Sequence, residues 1–295
     1  MQASILIVSK NRKTELEKTL TILEKIIDFT TQEVLVFLDG CTDGSTLLTA
    51  QFHWVDWHAS KKSLGASPAR NLLYKEAKGA VLIGLDDDAH PLYSDFVERV
   101  LILFNENPAV GVIAFEEIKG VFSSDEVALA NVASDTRVEY LTKEFIGCGF
   151  AIRKEVYQLT NGFPVWMDIY GEESCVSIEV MSKGYAILFS NTIKVNHRVD
   201  KEARKRSGKN HFRFERQLKN TTSYYMVYYK NPVFKIMKLY WHNFKKYALT
   251  DVVCFKLFFK VIFEVIIDMP QLLKYRKPVA ETIIFKMKQL QSITY

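Results

Sequence analysis

Cysteine is scarce and unpatterned. The four residues Cys41, Cys148, Cys175 and Cys254 show no CxxC spacing, which argues against a zinc site and a disulfide framework. Glycine-rich phosphate loops are missing as well. No GxGxxG follows the first strand-like run and no GxxxxGK(S/T) occurs, so dinucleotide-binding and P-loop readings fail. A bilayer-spanning run is also lacking. The most apolar stretch, 252–267, carries three charges in sixteen residues. As a helix it would reach about 24 Å, short of a roughly 30 Å hydrocarbon core. A strand-like run begins directly after the first residues, without a signal-peptide pattern, so a cytosolic setting is expected.

The two parts of the chain carry opposite excesses of charge. Residues 1–197 hold 18 Lys and Arg against 27 Asp and Glu, a net of −9, whereas 198–295 hold 21 against 7, a net of +14. An acidic body with a basic tail implies two regions with different tasks.

Within the body, Ser4 to Ser9 reads as a buried strand. The next segment reads as a helix with Leu16, Leu20, Leu23 and Ile27 on one face, opened by a Thr14/Glu17 capping box. Glu33 to Leu38 is a second strand, Ala69 to Lys78 a helix and Ala80 to Leu85 a further strand. Alternating strands and helices predict a doubly wound, mostly parallel sheet, in which ligands bind beyond the carboxyl ends of the strands. Three such ends carry polar clusters: Ser9 to Arg12, Asp39 to Ser45, and Asp86-Asp87-Asp88. Three adjacent aspartates repel one another and demand a positive partner, for which a hard cation with a phosphate ligand is suited. Helix capping ahead of Pro91 is the alternative for them. Farther on come a helix over Phe96 to Phe104, a strand over Val110 to Phe115 and a weakly patterned stretch from Glu116 to Glu144. The glycine pair Gly147/Gly149 permits close backbone approach. A helix opens at Glu172-Glu173, and extended segments over Ala186–Ser190 and Thr192–Asn196 end at His197.

Taken in order, Val8-Ser9-Lys10-Asn11-Arg12, Asp39 to Ser45, Gly65 to Asn71, Leu85 to Asp88, Gly147 to Phe150, Gly171-Glu172-Glu173 and His197-Arg198 resemble the family 2 glycosyltransferases. The resemblance runs from about Ser4 to His197. It implies a GT-A fold, Rossmann-like and flanked by helices, with inverting transfer from a nucleotide-sugar donor. It also implies site roles. Asp39 would accept from the nucleotide base, and Ser9 and Arg12 would lie beside base and ribose. Arg70 would reach the diphosphate or the carboxylates, Asp86 the ribose, and Asp87 would support from behind. Asp88 and His197 would hold Mn2+ or Mg2+. Glu173 would be the general base, with Glu172 the alternative; the family usually has Glu-Asp at this pair.

The expected division is a catalytic domain over 1–200, with its nucleotide-sugar half about 1–90 and acceptor half about 91–200. A helical, basic, aromatic-rich extension follows over 201–295. In that extension Lys256, Lys260, Glu264 and Asp268 recur every fourth residue, giving a helix one wet stripe and a wide apolar face. Such a helix suits the inner face of a membrane, and a dimer contact or packing on the body is the alternative. The expected partners are therefore a nucleotide sugar and a glycan or lipid-linked acceptor, with a membrane surface or a second copy at the extension and no nucleic acid. A non-catalytic scaffold subunit and a sugar-1-phosphate nucleotidyltransferase are the rival readings.

Overall fold

The computed structural model describes residues 1–131, 136–200 and 209–293. The body contains β1 (Ala3–Ser9), α1 (Lys13–Ile26), β2 (Gln32–Asp39), β3 (Asp56–Ser60), α2 (Ala66–Glu76), β4 (Val81–Asp86), β5 (Ala89–Pro91) and α3 (Phe96–Glu106). It continues through β6 (Val110–Lys119), α4 (Asp125–Ala130), β7 (Glu139–Thr142), β8 (Gly149–Arg153), α5 (Lys154–Gln158), α6 (Glu172–Ser182) and β9 (Ala186–His197). Among the described residues, four longer helices follow: α7 (His211–Tyr228), α8 (Val233–Lys246), α9 (Val252–Leu272) and α10 (Glu281–Gln289).

The strands form one sheet in the order β3-β2-β1-β4-β8-β6-β9-β5, with β7 also on β9. β3, β2, β1 and β4 are parallel, as the alternation of strands and helices predicts. β8 then runs antiparallel between β4 and β6, and β6 pairs parallel with β9. The carboxyl ends of β1, β2, β4, β6 and β9 therefore share one edge of the sheet, and β8 begins at that same edge.

Alternation along the central strands sorts side chains to the two faces. Ile5, Ile7, Val34, Val36 and Ile83 pack with Leu16, Leu20 and Leu23 of α1 and with Phe96 and Val100 of α3. On the other face Leu6, Leu35 and Leu82 pack with Leu73 and Tyr74 of α2 and with Val176 and Val180 of α6. The outer side of α6 is covered in turn. Cys175 and Ile178 join Leu218 and Met226 of α7 and Phe258, Val261 and Val265 of α9. The extension is thus folded against the helix that begins with the two glutamates.

Several local expectations need correcting. Thr14 lies inside the first turn of α1, and no side chain of the proposed capping box caps it. Instead the Lys13 N–H donates to Asp43 Oδ2 at 2.8 Å, from the loop after β2. The aspartate triplet caps no helix: Asp86 ends β4, and Pro91 sits in the short strand β5, a position where a missing N–H is tolerated. The segments around 186–196 are a single strand, irregular opposite Phe115 and Glu116. Of the stretch 116–144, β6 claims the start, α4 and β7 form within it, and 132–135 lie outside the described residues. The basic residues 201–208 also lie outside them.

The predicted polar stripe of α9 is still largely exposed at Lys256, Lys260 and Asp268, but three of its charges are paired. Lys260 pairs with Glu215 at 2.7 Å, and Glu264 and Asp268 pair with Lys219 at 3.0 and 2.9 Å, all toward α7. Phe259, Phe263, Ile266 and Ile267 are exposed as well, so the wide apolar face is only partly covered. No helix of the described residues is long and apolar enough to cross a membrane.

Candidate active site

At the shared edge, nine of the ten predicted residues fall into two connected charge clusters. The first surrounds the aspartate triplet. Ser9 Oγ donates to Asp87 Oδ2 at 2.7 Å, and Arg12 bridges to Asp87 at 3.3 Å and Asp88 at 2.5 Å. His197 Nε2 lies 3.3 Å from Asp88 Oδ1. The positive partners that three aspartates require are thus Arg12 and His197. Burial alone would raise the Asp88 carboxyl, but His197 and Arg12 outweigh it and hold the group well below the usual carboxylate range. At Asp87 burial prevails and pushes the carboxyl up to about 7 despite Arg12 and Ser9.

Glu117, which the sequence reading did not single out, completes this cluster. Its Oε1 lies 2.5 Å from His197 Nδ1. Burial opposes charge on the imidazole, but the hydrogen bonds to Asp88 and Glu117 prevail and raise it to about 9. The available signal was an apolar run, Val110 to Phe115, ending in carboxylates, as β4 does at Asp86.

Arg70 of α2 links the second cluster to the first. Its Nη2 lies 2.7 Å from Asp86 Oδ1, and its Nη1 lies 3.1 Å from Glu172 Oε1 and 3.2 Å from Glu173 Oε1. Burial disfavours the charged guanidinium, yet Asp86, Glu173 and Glu172 together keep it firmly protonated. Both glutamates stand in the first turn of α6, where the helix dipole favours negative charge. Their environments differ. Glu172 is buried, its Oε2 has no hydrogen-bond partner, and burial followed by repulsion from Glu173 pushes it up to about 8. Glu173 is 21% exposed at its side chain, and burial raises it too. Gly147 lies against this pair. A Cβ there would stand 2.6 Å from Glu173 Oε1 and 2.8 Å from Arg70 Nη2, so its close approach is to these two charges.

Asp39 stands apart from both clusters. Its carboxylate accepts from Ser63 Oγ at 2.6 Å, Leu64 N–H at 2.6 Å, Gly65 N–H at 3.0 Å and Ser60 Oγ at 3.3 Å. These four donors fix the loop between β3 and α2, a role the sequence did not disclose.

A cation fits the edge. Single ligand atoms of Asp86, Asp88 and His197 lie within 4.8 Å of one another. Two carboxylate oxygens and an imidazole nitrogen suit Mn2+ or Mg2+. Loss of the Nε2 proton would leave Nδ1–H on Glu117 and present a lone pair beside Asp88, the usual arrangement behind a metal-binding histidine.

Comparison with known proteins bears on the family and the fold. The profile described as "Glycosyl transferase family 2" matches residues 4–159. An uncharacterized protein of Haemophilus influenzae is 29% identical over 179 residues, 55% of this chain and 92% of that one. Among solved structures, a mannosyltransferase from Pyrobaculum calidifontis in complex with GDP-Man and Mn2+ is similar at a TM-score of 0.58 and 16% identity, over 90% of this chain and 74% of that one. GalNAc-T7 with UDP, GalNAc and Mn2+ is similar at 0.59 and 17%, over 92% and 58%. S. aureus TarS 1-349 is similar at 0.54 and 14%, over 67% of this chain, which spans only 60% of the TarS chain. Sheet order, the carboxylate-lined edge and the matched profile lead to one conclusion: the chain has the GT-A fold and belongs to glycosyl transferase family 2.

Proposed function

We propose that the chain moves a sugar from a nucleotide-sugar donor to a hydroxyl of a glycan or lipid-linked acceptor, with inversion at the anomeric carbon. One observation carries the reading. A single buried guanidinium, Arg70, ties Asp86 at the strand end to Glu172 and Glu173 at the helix start, which supports reading these carboxylates as parts of one site.

Asp88 and His197 would hold the divalent cation, Mn2+ or Mg2+, with Glu117 orienting the imidazole. When bound, the cation stabilises charge on the departing diphosphate. Asp86 meets the ribose, Ser9, Arg12 and Asp39 shape the base-and-ribose side, and Asp87 braces the strand end. Glu173 takes the proton from the acceptor hydroxyl, being more exposed than Glu172. The acceptor oxygen then bonds to C1 as the bond from C1 to the diphosphate breaks on the opposite face. Arg70 keeps Glu173 aimed and draws it toward the charged form. The Mn2+ and nucleotide complexes of the structurally similar proteins support the donor class.

In this reading residues 1–200 are catalytic and 201–295 an appended helical region that rests on anionic lipid. Val233, Phe234, Met237 and Trp241 of α8, together with the outward residues of α9, are exposed. Lys238, Lys245, Lys246 and Lys256 lie on the same two helices and are exposed as well, and apolar side chains beside lysines match an anionic membrane surface. Thermal shift with UDP-, GDP- and dTDP-sugars tests the donor assignment. One class should raise Tm, and more so with Mn2+, because ligand binding to the folded state adds stability. No shift from any of them would contradict it.

A further inference from the structure

A cavity of about 340 Å³ opens between the start of α6 and the C-terminal helices. Gly171 and Ser174, on either side of the two glutamates in sequence, line it, so the cavity opens at the start of α6, one helix face away from Glu172 and Glu173. Its walls are aromatic and basic. Tyr224, Tyr225 and Tyr229 come from α7 and the residue after it, and Lys143, Lys235 and Lys288 come from three separate segments. Tyr225 and Tyr229 meet edge to face with centroids 5.0 Å apart.

Among the described residues, none of the three tyrosine hydroxyls makes a hydrogen bond to the protein, and none of the three lysines has a carboxylate partner. Burial raises all three phenols, so their hydroxyls stay protonated and available as donors. Lys235 is drawn below its ordinary value by burial and then by Lys288 and Lys238. Like charges crowd at this wall, and an anion would relieve them. Glu144 is the lone carboxylate of the lining, next in sequence to Lys143.

We infer that this cavity is the acceptor subsite and that it takes a sugar bearing an anionic group. The ring would lie on the tyrosines and the phosphate or carboxylate would meet Lys235 and Lys288. Tyrosine rings offer a broad apolar face with a polar tip, which suits a sugar, and lysine is a point charge for an oxyanion. The inference rests on the glycosyltransfer reading above, since it names that reaction's second substrate.

Calorimetric titration of the full chain, without divalent cation and at low salt, provides the test. The probes are glucose 1-phosphate, glucuronate, glucose and inorganic phosphate. One of the two anionic sugars should bind at least about tenfold more tightly than glucose or phosphate alone, and which one it is separates a phosphorylated acceptor from a uronic acid. In Lys235→Ala/Lys288→Ala that affinity should fall about tenfold or more. Tyr225→Ala should weaken binding of the sugar but not its salt dependence. Unchanged melting would confirm that each variant is folded. Anionic sugars binding no more tightly than glucose, or indifferent to the double substitution, would overturn the assignment. Nucleotide-sugar binding with Mn2+, measured on the same wild-type preparation, keeps the two ideas distinct. If it is present while the anionic sugars fail, only the cavity assignment falls; if it is absent, the transfer reading falls.

Discussion

Glu117 Oε1 lies 2.5 Å from His197 Nδ1, across the parallel pairing of β6 and β9. The carboxylate fixes which imidazole nitrogen faces Asp88. Glu117→Gln keeps the shape but loses the charge that orients and polarises the ring. Affinity for Mn2+ should drop about 10- to 100-fold, read by titration of the metal against the apo protein. Unaltered affinity would remove Glu117 from the site.

Gly147 has no room for a side chain beside Glu173 and Arg70. The clashing atoms are side-chain ends, which can shift without unfolding the protein. Gly147→Ala should therefore reduce the transfer rate by about tenfold or more, because small displacements of a base are costly, while Tm stays within a few degrees. A large loss of Tm with activity per folded molecule preserved would contradict this.

The buried pair at α6 makes stability depend on pH. Glu172 titrates at about 8 when folded, against an ordinary 4.5. Between those values the folded chain holds a proton that the unfolded chain has released, so stability falls with rising pH. This contribution is fully present below about pH 4.5 and is lost as pH passes through 8. Glu172→Gln should flatten that slope in melting curves. Arg70→Ala should cost about 3 kcal/mol at pH 9, where the glutamates lose their counter-charge, and less at pH 6. Glu173→Gln should lower transfer by about 100-fold or more with the fold intact, whereas Glu172→Gln should retain most of it.

Much of this was legible in the chain because the deciding signals are local. An apolar run broken by Asp or Ser marks a strand's carboxyl end wherever it occurs, and Ser9, Asp39 and Asp86 each show it. Arg70, Glu172 and Glu173 stand at expected helix starts, but their roles came from the resemblance to the family. Contacts between distant segments were not legible. Asp43 caps a helix 30 residues before it, and Arg12 turns toward Asp87 and Asp88, the very charges that needed an opposite sign. The antiparallel insertion of β8 reverses no pattern within its own five residues. On α9 the periodicity separated charged from apolar positions, but it could not say that α7 would supply Glu215 and Lys219 to meet the charges.

The outward face of α8 and α9 should bind lipid. Sedimentation with phosphatidylserine-containing vesicles should recover the protein, vesicles of phosphatidylcholine alone should recover far less, and salt should weaken the binding. Phe234→Ser together with Phe263→Ser should abolish it. Loss of a dimer in sedimentation velocity, with lipid binding unchanged, would assign the face to a second copy instead.

The most direct measurement is release of nucleoside diphosphate from a nucleotide sugar in the presence of Mn2+, by wild type and by Asp88→Asn. The substitution keeps the volume and removes the charge beside His197. The account predicts cation-dependent turnover in the wild type and at least about a 100-fold loss in the variant, with melting still cooperative. Wild-type turnover by Asp88→Asn, or turnover indifferent to Mn2+ and Mg2+, would contradict it.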